Sequence, residues 1–156
     1  MKILAIDPGY DRMGMAVVEG TASRPSLCWS DCVTPPKGDA SERLAVIYSS
    51  LEDAIARYRP DVIAIEKLFF NINKKTALGV AEARGAVLAA AGSARVPVRE
   101  YSPQEVKNAV TGYGGADKAA VGRMVARLLT LSEKRRVDDE LDAVAVGITA
   151  LALANT

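Results

Sequence analysis

The sequence predicts an α/β layer fold with a mixed β-sheet, and three observations support this prediction. Three strand-like segments with short connections occupy the first 33 residues, which is typical of an antiparallel meander. Helical and strand-like patterns then alternate up to residue 101, as in parallel strands that are joined through helices. Helical periodicity dominates the last third of the chain.

The size and composition are those of one globular domain over residues 1–156. Of these residues 49% are hydrophobic and 25% are charged. No apolar run reaches the roughly 18 residues of a membrane helix, and no secretory signal pattern precedes the first predicted strand, so we expect no membrane partner. Histidine is absent, which excludes histidine general bases and histidine-ligated zinc.

The two cysteines predict a reducing, cytoplasmic location. Cys28 and Cys32 lie in one predicted strand, where four residues span about 13 Å. A disulfide allows a Cα separation of roughly 7 Å at most. We therefore expect two packed free thiols, which are typical of cytosolic proteins.

The chain opens with a strand that ends on an acid. Residues Lys2–Asp7 predict a strand buried on both faces, because the segment is almost entirely apolar, and Pro8 and Gly9 stop it. A carboxylate at the exit of a buried strand is unfavourable without a partner. Asp7 is therefore either a candidate metal ligand or the start of an Asx-turn.

Two further strands follow through short connections, so the first two are expected to form a hairpin and all three a meander. The second strand is predicted over Met13–Glu19. A polar turn is predicted over Thr21–Ser26, and the third strand over Leu27–Val33.

The middle of the chain predicts alternating helices and strands. Asp39 and Glu42 have the spacing of a capping box, and apolar residues at helical spacing predict a helix over 40–58. Asp61–Glu66 repeats the opening pattern, a short buried strand that ends on a carboxylate. The next predicted elements are an Ala- and Gly-rich helix and the last strand, over Lys74–Ala91 and Val96–Tyr101.

The C-terminal third is predicted to be helical. Ser102–Glu105 is a second capping box with proline at the first helical position, and it begins a short helix through Val110. Amphipathic spacing predicts another helix over Lys118–Leu129. A charged linker, Ser132–Glu140, precedes a final apolar helix over Leu141–Ala152.

Four acids from distant parts of the chain are expected to converge. Asp7 and Glu66 each end a buried strand, and if these strands are parallel neighbours their ends lie about 5 Å apart. Asp139 and Asp142 are three residues apart, so they share one face of a helix start. Helix capping and the helix dipole are the alternative explanation for these two acids. Carboxylates gathered in this way repel one another unless a cation lies between them.

The predicted acid cluster favours a hard metal ion. Oxygen donors without histidine or cysteine select Mg²⁺ or Mn²⁺. Pairs of such ions activate water and stabilise a leaving oxygen in phosphoryl chemistry. We therefore expect a site for two ions that carries out in-line phosphoryl chemistry.

Five blocks of sequence are longer than chance motifs and occur in order over nearly the whole chain. They are Ile6–Gly9 with Gly14, Ala64–Phe69, Glu82–Gly85, Tyr101–Lys107 and Asp139–Ala143. Together they resemble the RuvC family of Holliday-junction resolvases. The resemblance implies a ribonuclease-H-like fold with a five-stranded mixed sheet flanked by helices on both faces.

The resemblance also implies an activity and a set of catalytic acids. It implies a homodimer that resolves four-way DNA junctions by paired symmetric nicks in recombination and repair, after handover from the RuvA–RuvB machinery. The catalytic and metal-binding acids of the family map to Asp7, Glu66, Asp139 and Asp142. Some members carry histidine at the place of Asp139, so the acid found here is within the range of the family.

DNA-contacting residues follow from the same resemblance. An aromatic residue at the place of Phe69 stacks on unpaired junction bases, which stabilises each base by about 1–3 kcal/mol. Phe70 could share or take that role, or one of the two could pack in the core. Lys107 and Lys118 match basic positions near the scissile phosphate, where Lys118 could offset transition-state charge. Weaker candidates for salt-sensitive backbone contacts are Lys74, Lys75, Arg84, Arg123 and Arg127.

Three alternatives stay open on the sequence. An actin-like sugar kinase or ATPase also opens with a strand, an acid and a glycine-containing hairpin, but that fold needs two such domains. A non-catalytic junction-binding protein would use the acids for structure alone. An RNA-directed nuclease of the same fold would share the acid cluster and differ in substrate.

Overall fold

The computed structural model describes residues 1–67, 74–129 and 137–154, and of residues 74 and 75 it describes only the backbone. The strands in these ranges are β1 Lys2–Asp7, β2 Met13–Thr21, β3 Arg24–Val33, β4 Val62–Glu66 and β5 Val98–Tyr101. The helices are α1 Ala40–Tyr58, α2 Lys74–Ser93, α3 Pro103–Thr111, α4 Lys118–Leu129 and α5 Asp138–Ala152.

The strands form one mixed sheet in the order β3-β2-β1-β4-β5. The β1–β2 and β2–β3 pairs are antiparallel, whereas β1–β4 and β4–β5 are parallel. Ile6 pairs with Ile65, so the last residues of the two strands, Asp7 and Glu66, lie side by side at the same end of the sheet. The predicted meander and the predicted parallel neighbours are both confirmed.

Strand alternation decides which face of the sheet carries the acids. Ile3 and Ala5 of β1 are fully buried in the core that contains α3, α4 and α5. Leu4 and Ile6 belong to the opposite core, which contains α1 and α2. Because side chains alternate along a strand, Asp7 follows Ala5 onto the α5 face. Helices therefore flank the sheet on both faces, as expected.

Helix α5 lies closely against the centre of the sheet. A Cβ atom at Gly147 would be 2.7 Å from Cγ2 of Val18 and 3.2 Å from Cβ of Ala5. The apolar stretch from Ala143 to Leu151 is almost completely buried. This packing brings the first turn of α5 to the end of the sheet at which β1 and β4 finish with Asp7 and Glu66.

Several element boundaries differ by a few residues from the sequence prediction, and two of these differences have a clear physical reason. The ladder between β2 and β3 continues to Thr21 and Arg24, so the turn predicted over Thr21–Ser26 is present but is confined to residues 22 and 23, because strand pairing extends into the predicted range. Helix α5 begins at Asp138, so the end of the predicted linker is helical. The acids of this first turn favour helix formation through the helix dipole.

The two predicted capping boxes have different outcomes. Ser102 Oγ accepts a hydrogen bond from the Glu105 amide at 3.2 Å, and Glu105 accepts one from the Ser102 amide at 2.7 Å. Asp39 occupies the N-cap position of α1, but its side chain makes no capping hydrogen bond within the described chain. The first capping box is therefore wrong and the second is confirmed.

The cysteines are free but are not packed as predicted. Cys28 is exposed and Cys32 is half-exposed. Both lie in β3, which is an edge strand that the helices cover only in part.

In the described ranges, no helix has the length and apolar character needed to cross a bilayer.

Candidate active site

The four predicted acids meet where β1, β4 and the start of α5 come together. Asp7 and Glu66 are half-buried at the ends of adjacent parallel strands. Asp139 and Asp142 are in the first turns of α5, with side chains that are 21% and 33% exposed. The register of the parallel strands brings Asp7 next to Glu66, and the packing of α5 on the same face of the sheet brings Asp139 and Asp142 to them.

The electrostatics confirm that these charges interact. The pKa of Asp7 rises from 3.8 to about 7, first because of burial and then because of the negative charges of Asp142, Glu66 and Asp139. The pKa of Glu66 is also raised, first by burial and then by Asp142. The site therefore carries negative charge that the protein compensates only in part.

The composition of this cluster fits a hard divalent ion. Its donors are carboxylate oxygens, which are the ligands that Mg²⁺ and Mn²⁺ prefer. However, no three acids in the described parts of the chain are close enough together to hold one ion as they stand. The chemistry of the donors fits the ion, and the side chains have to move to close around it.

Two predicted lysines lie beside the acids. Lys118 Nζ is 2.8 Å from Oδ2 of Asp142, and this hydrogen bond is the largest cause that raises the pKa of Lys118. Lys107 lowers the pKa of Glu66 through its positive charge. Both lysines line a pocket of about 180 Å³ together with Glu66 and Asp142. Lys107 and Lys118 thus place two positive charges on one side of the acid cluster.

Arg12, which was not among the predicted site residues, lies on the other side of the acid cluster. Arg12 Nη2 is 2.8 Å from Oδ2 of Asp139, although no described donor is aligned for a hydrogen bond to this buried oxygen. Arg12 and Asp139 both line a cleft of about 560 Å³ between the β1–β2 loop and α2. The sequence signal was a cation in the short link after the strand that ends on Asp7.

A second missed arginine holds the β1–β2 loop in place. Arg43 is buried, and it donates to the Tyr10 carbonyl at 2.9 Å and to Asp11 Oδ1 at 2.7 Å. Its guanidinium also lies 4.4 Å from the centroid of the Tyr10 ring, a cation–π contact. The signal was a charge in the apolar stripe of α1, four residues before the buried Ile47.

Close contacts also fix the first turn of α5. A Cβ atom at Gly14 would be 1.9 Å from the carbonyl oxygen of Asp139, so only glycine fits there. Ser30 Oγ donates to Glu140 Oε2 at 2.7 Å, and both residues are buried. These contacts from β2 and β3 determine where Asp139 and Asp142 lie.

Among the other predicted DNA contacts, the three described arginines lie outside the acid cluster. Arg84 Nη2 is 2.6 Å from Glu100 Oε1, and the Arg84 side chain is only 16% exposed, so a phosphate contact would require this ion pair to open. Arg123 and Arg127 are exposed on α4. Phe69, Phe70 and the side chains of Lys74 and Lys75 lie outside the described residues. Their roles stay predictions.

Comparison with known proteins identifies the family. The family model described as "Crossover junction endodeoxyribonuclease RuvC" matches residues 3–150. The chain belongs to the RuvC family. The resemblance seen in the sequence is therefore confirmed.

Full-length relatives and solved structures agree with this assignment. A crossover junction endodeoxyribonuclease RuvC from Moorella thermoacetica is 48% identical over 95% of this chain and 89% of the relative. The RuvC of Syntrophomonas wolfei is 41% identical over 97% of this chain and 88% of the relative. RuvC from T. thermophilus, solved in complex with a Holliday junction substrate, matches with a TM-score of 0.92 at 36% identity, over 99% of this chain and 94% of that one. The ribonuclease-H-like α/β fold is confirmed by this RuvC structure.

The raised pKa of Asp7 predicts a pH-dependent loss of stability in the ion-free protein. An acid whose pKa is higher in the folded protein stabilises it fully below pH 3.8, and this contribution is lost as the pH rises to about 7. Asp7→Asn removes the effect, so we expect the variant to be more stable than wild type by up to about 4 kcal/mol at pH 8 and nearly equal to it near pH 4.

Urea unfolding of both proteins in chelator, at a series of pH values, measures this difference. Excess Mg²⁺ at pH 8 should stabilise the wild type more than the variant, because the ion binds the folded state at the intact cluster. A stability difference that does not change with pH would contradict the pKa shift of Asp7.

Proposed function

We propose that this RuvC family member is a structure-selective endodeoxyribonuclease that resolves four-way DNA junctions by paired symmetric nicks. The observation that carries the proposal is the convergence of Asp7, Glu66, Asp139 and Asp142, whose mutual repulsion contributes to the raised pKa of Asp7. The names of the relatives, and the junction in the T. thermophilus RuvC complex, support DNA junctions as the substrate.

The acids would hold two divalent ions, Mg²⁺ or Mn²⁺, on the α5 face of the sheet. Asp7, on which the charges of all three other acids act, would contact both ions. Glu66 and Asp142 would each hold one ion, and Asp139 would complete the set. Bound ions of this kind supply an activated water and stabilise the leaving oxygen of the phosphodiester. The residues of the chain would position these ions and orient the phosphate.

The two lysines would bind and orient the phosphate. Lys107 and Lys118 line the pocket of about 180 Å³ beside Glu66 and Asp142, so their charges face the place where the phosphate would lie. Lys118 would exchange its contact with Asp142 for the phosphate when the ions bind. A positive charge at this place favours the transition state, in which negative charge develops on the phosphate oxygens.

The wider assembly follows from the same function. Paired cuts on opposite strands of a junction require two active sites, so the chain would act as a homodimer of one nuclease domain over residues 1–156, in the cytoplasm. The junction would come from the RuvA–RuvB branch-migration complex. Basic residues outside the acid cluster, such as Arg123, would contact the DNA backbone.

One experiment separates this function from its alternatives. Purified protein is incubated with a mobile four-way junction and Mn²⁺, and the nicks are mapped on all four strands. Symmetric nicks on one opposing pair of strands are the expected result. Binding without nicks would favour a non-catalytic junction-binding protein, whereas faster cutting of a matched RNA substrate would favour an RNA-directed nuclease.

Replacing Phe69 should weaken opening of the junction centre. For Phe69→Ala we expect slower cutting and a smaller fluorescence change from a base analogue at the crossover, since loss of one stacking partner costs about 1–3 kcal/mol. Phe70→Ala is the matched variant, and the larger effect of the two identifies the stacking residue. Unchanged rates and fluorescence in both variants would reject a stacking role for this pair.

A further inference from the structure

Asp139 is paired with a cation of the protein itself. Its Oδ2 atom is buried and lies 2.8 Å from Nη2 of Arg12. The Asp139 side chain is only 21% exposed, so solvent screens this ion pair less than it screens a surface pair. An ion that binds Asp139 has to compete with the guanidinium.

The loop that carries Arg12 is held in this position by contacts at its base. Arg43 binds the carbonyl of Tyr10 and the carboxylate of Asp11, which are the two residues before Arg12. The ring of Tyr10 also packs against α2, because a Cβ atom at Gly79 would be 2.8 Å from Cγ of that ring. The backbone of the loop is therefore fixed.

The Arg12 side chain nevertheless has free space beside it for another conformation. It is 53% exposed and lines the open cleft of about 560 Å³ next to Asp139. The guanidinium can therefore leave Asp139 by side-chain rotation, without unfolding the loop.

We propose that Arg12 is the resident counter-ion of Asp139, a positioning residue that competes with the divalent cation for this carboxylate. Arg12 keeps Asp139 compensated in the ion-free protein and lowers the affinity of the site for the cation. This inference rests on the proposed metal-binding role of the acid cluster.

Mn²⁺ binding to the DNA-free protein tests the competition, with isothermal titration calorimetry as the readout. For Arg12→Gln we expect Mn²⁺ to bind about three- to tenfold more tightly than to wild type, because a competing charge has been removed. Arg12→Lys keeps the charge and should bind like wild type. Affinity of Arg12→Gln that is equal to wild type or weaker would overturn the proposal.

A control variant and a stability measurement separate competition from a general structural effect. Arg57→Gln removes the same charge from α1. Arg57 is 14 residues after Arg43, which holds the Arg12 loop, and lies about 21 Å from it along the helix, so this variant should leave the Mn²⁺ affinity unchanged. In chelator, Arg12→Gln should unfold at an equal or lower temperature than wild type. A merely structural role of Arg12 would weaken Mn²⁺ binding together with stability, and that outcome would also overturn the proposal.

Asp7→Asn distinguishes failure of this inference from failure of the proposed function. If Asp7→Asn weakens Mn²⁺ binding while Arg12→Gln binds like wild type, the acid cluster holds metal and only the role of Arg12 is wrong. If the wild-type protein binds no Mn²⁺, both are overturned.

Discussion

Asp7→Asn should abolish junction cleavage and leave junction binding nearly intact. The substitution keeps the size and shape of the side chain but removes the one charge on which the other three acids all act. Loss of outer-shell groups around a metal already costs about 10–100-fold in activity, so the loss of a central ligand should cost more than about a hundredfold. DNA binding depends on the basic residues, which the variant retains.

The measurement is single-turnover cleavage of a four-way junction in Mg²⁺, with binding followed by gel shift in chelator. Asp53→Asn is the matched control, because Asp53 is an exposed acid on α1, in the layer on the opposite face of the sheet from α5. Its cleavage rate should equal that of wild type. Cutting by Asp7→Asn at the wild-type rate would refute the catalytic role of this acid.

Gly14→Ala should damage the active site although it replaces none of the proposed ligands. The new Cβ atom would be 1.9 Å from the carbonyl oxygen of Asp139, so the first turn of α5 has to move away from β2. Overpacking of this kind costs about 1–3 kcal/mol in stability. We expect cleavage to fall by about a hundredfold, because a displacement of about 1 Å at a catalytic group can cost that much.

Urea unfolding and single-turnover cleavage measure the two effects. Gly92→Ala provides the control, since a Cβ atom at Gly92 in α2 would meet no atom within 4 Å. Alanine is the better helix former, so this control should be as stable as wild type or slightly more stable. A Gly14→Ala protein with wild-type stability and wild-type cleavage would show that the α5 turn adjusts freely and that its close packing does not position Asp139.

The elements of the fold followed from local patterns. Continuous apolar runs predicted β1 and β4, and the acid that ends each run, Asp7 or Glu66, stood out against its apolar neighbours. The Ser102 capping box was correct, with both partners inside one helical turn. Asp39 and Glu42 have the same spacing, but Asp39 makes no capping hydrogen bond in the described chain, so spacing alone does not decide a cap. Boundaries failed where pairing with a distant segment decides them, as at the β2–β3 turn, where the ladder continues to Thr21 and Arg24.

The sequence by itself determined the family, the sheet with its buried strands, and the four acids, because each depends on neighbours along the chain or on matching blocks. Only the tertiary structure decided that Arg12 contacts Asp139 and that Lys118 contacts Asp142. It also decided that the backbone of α5 packs directly against Gly14, where a side chain would not fit. These contacts join residues up to 127 positions apart, and they depend on strand register and helix packing, which no local pattern specifies.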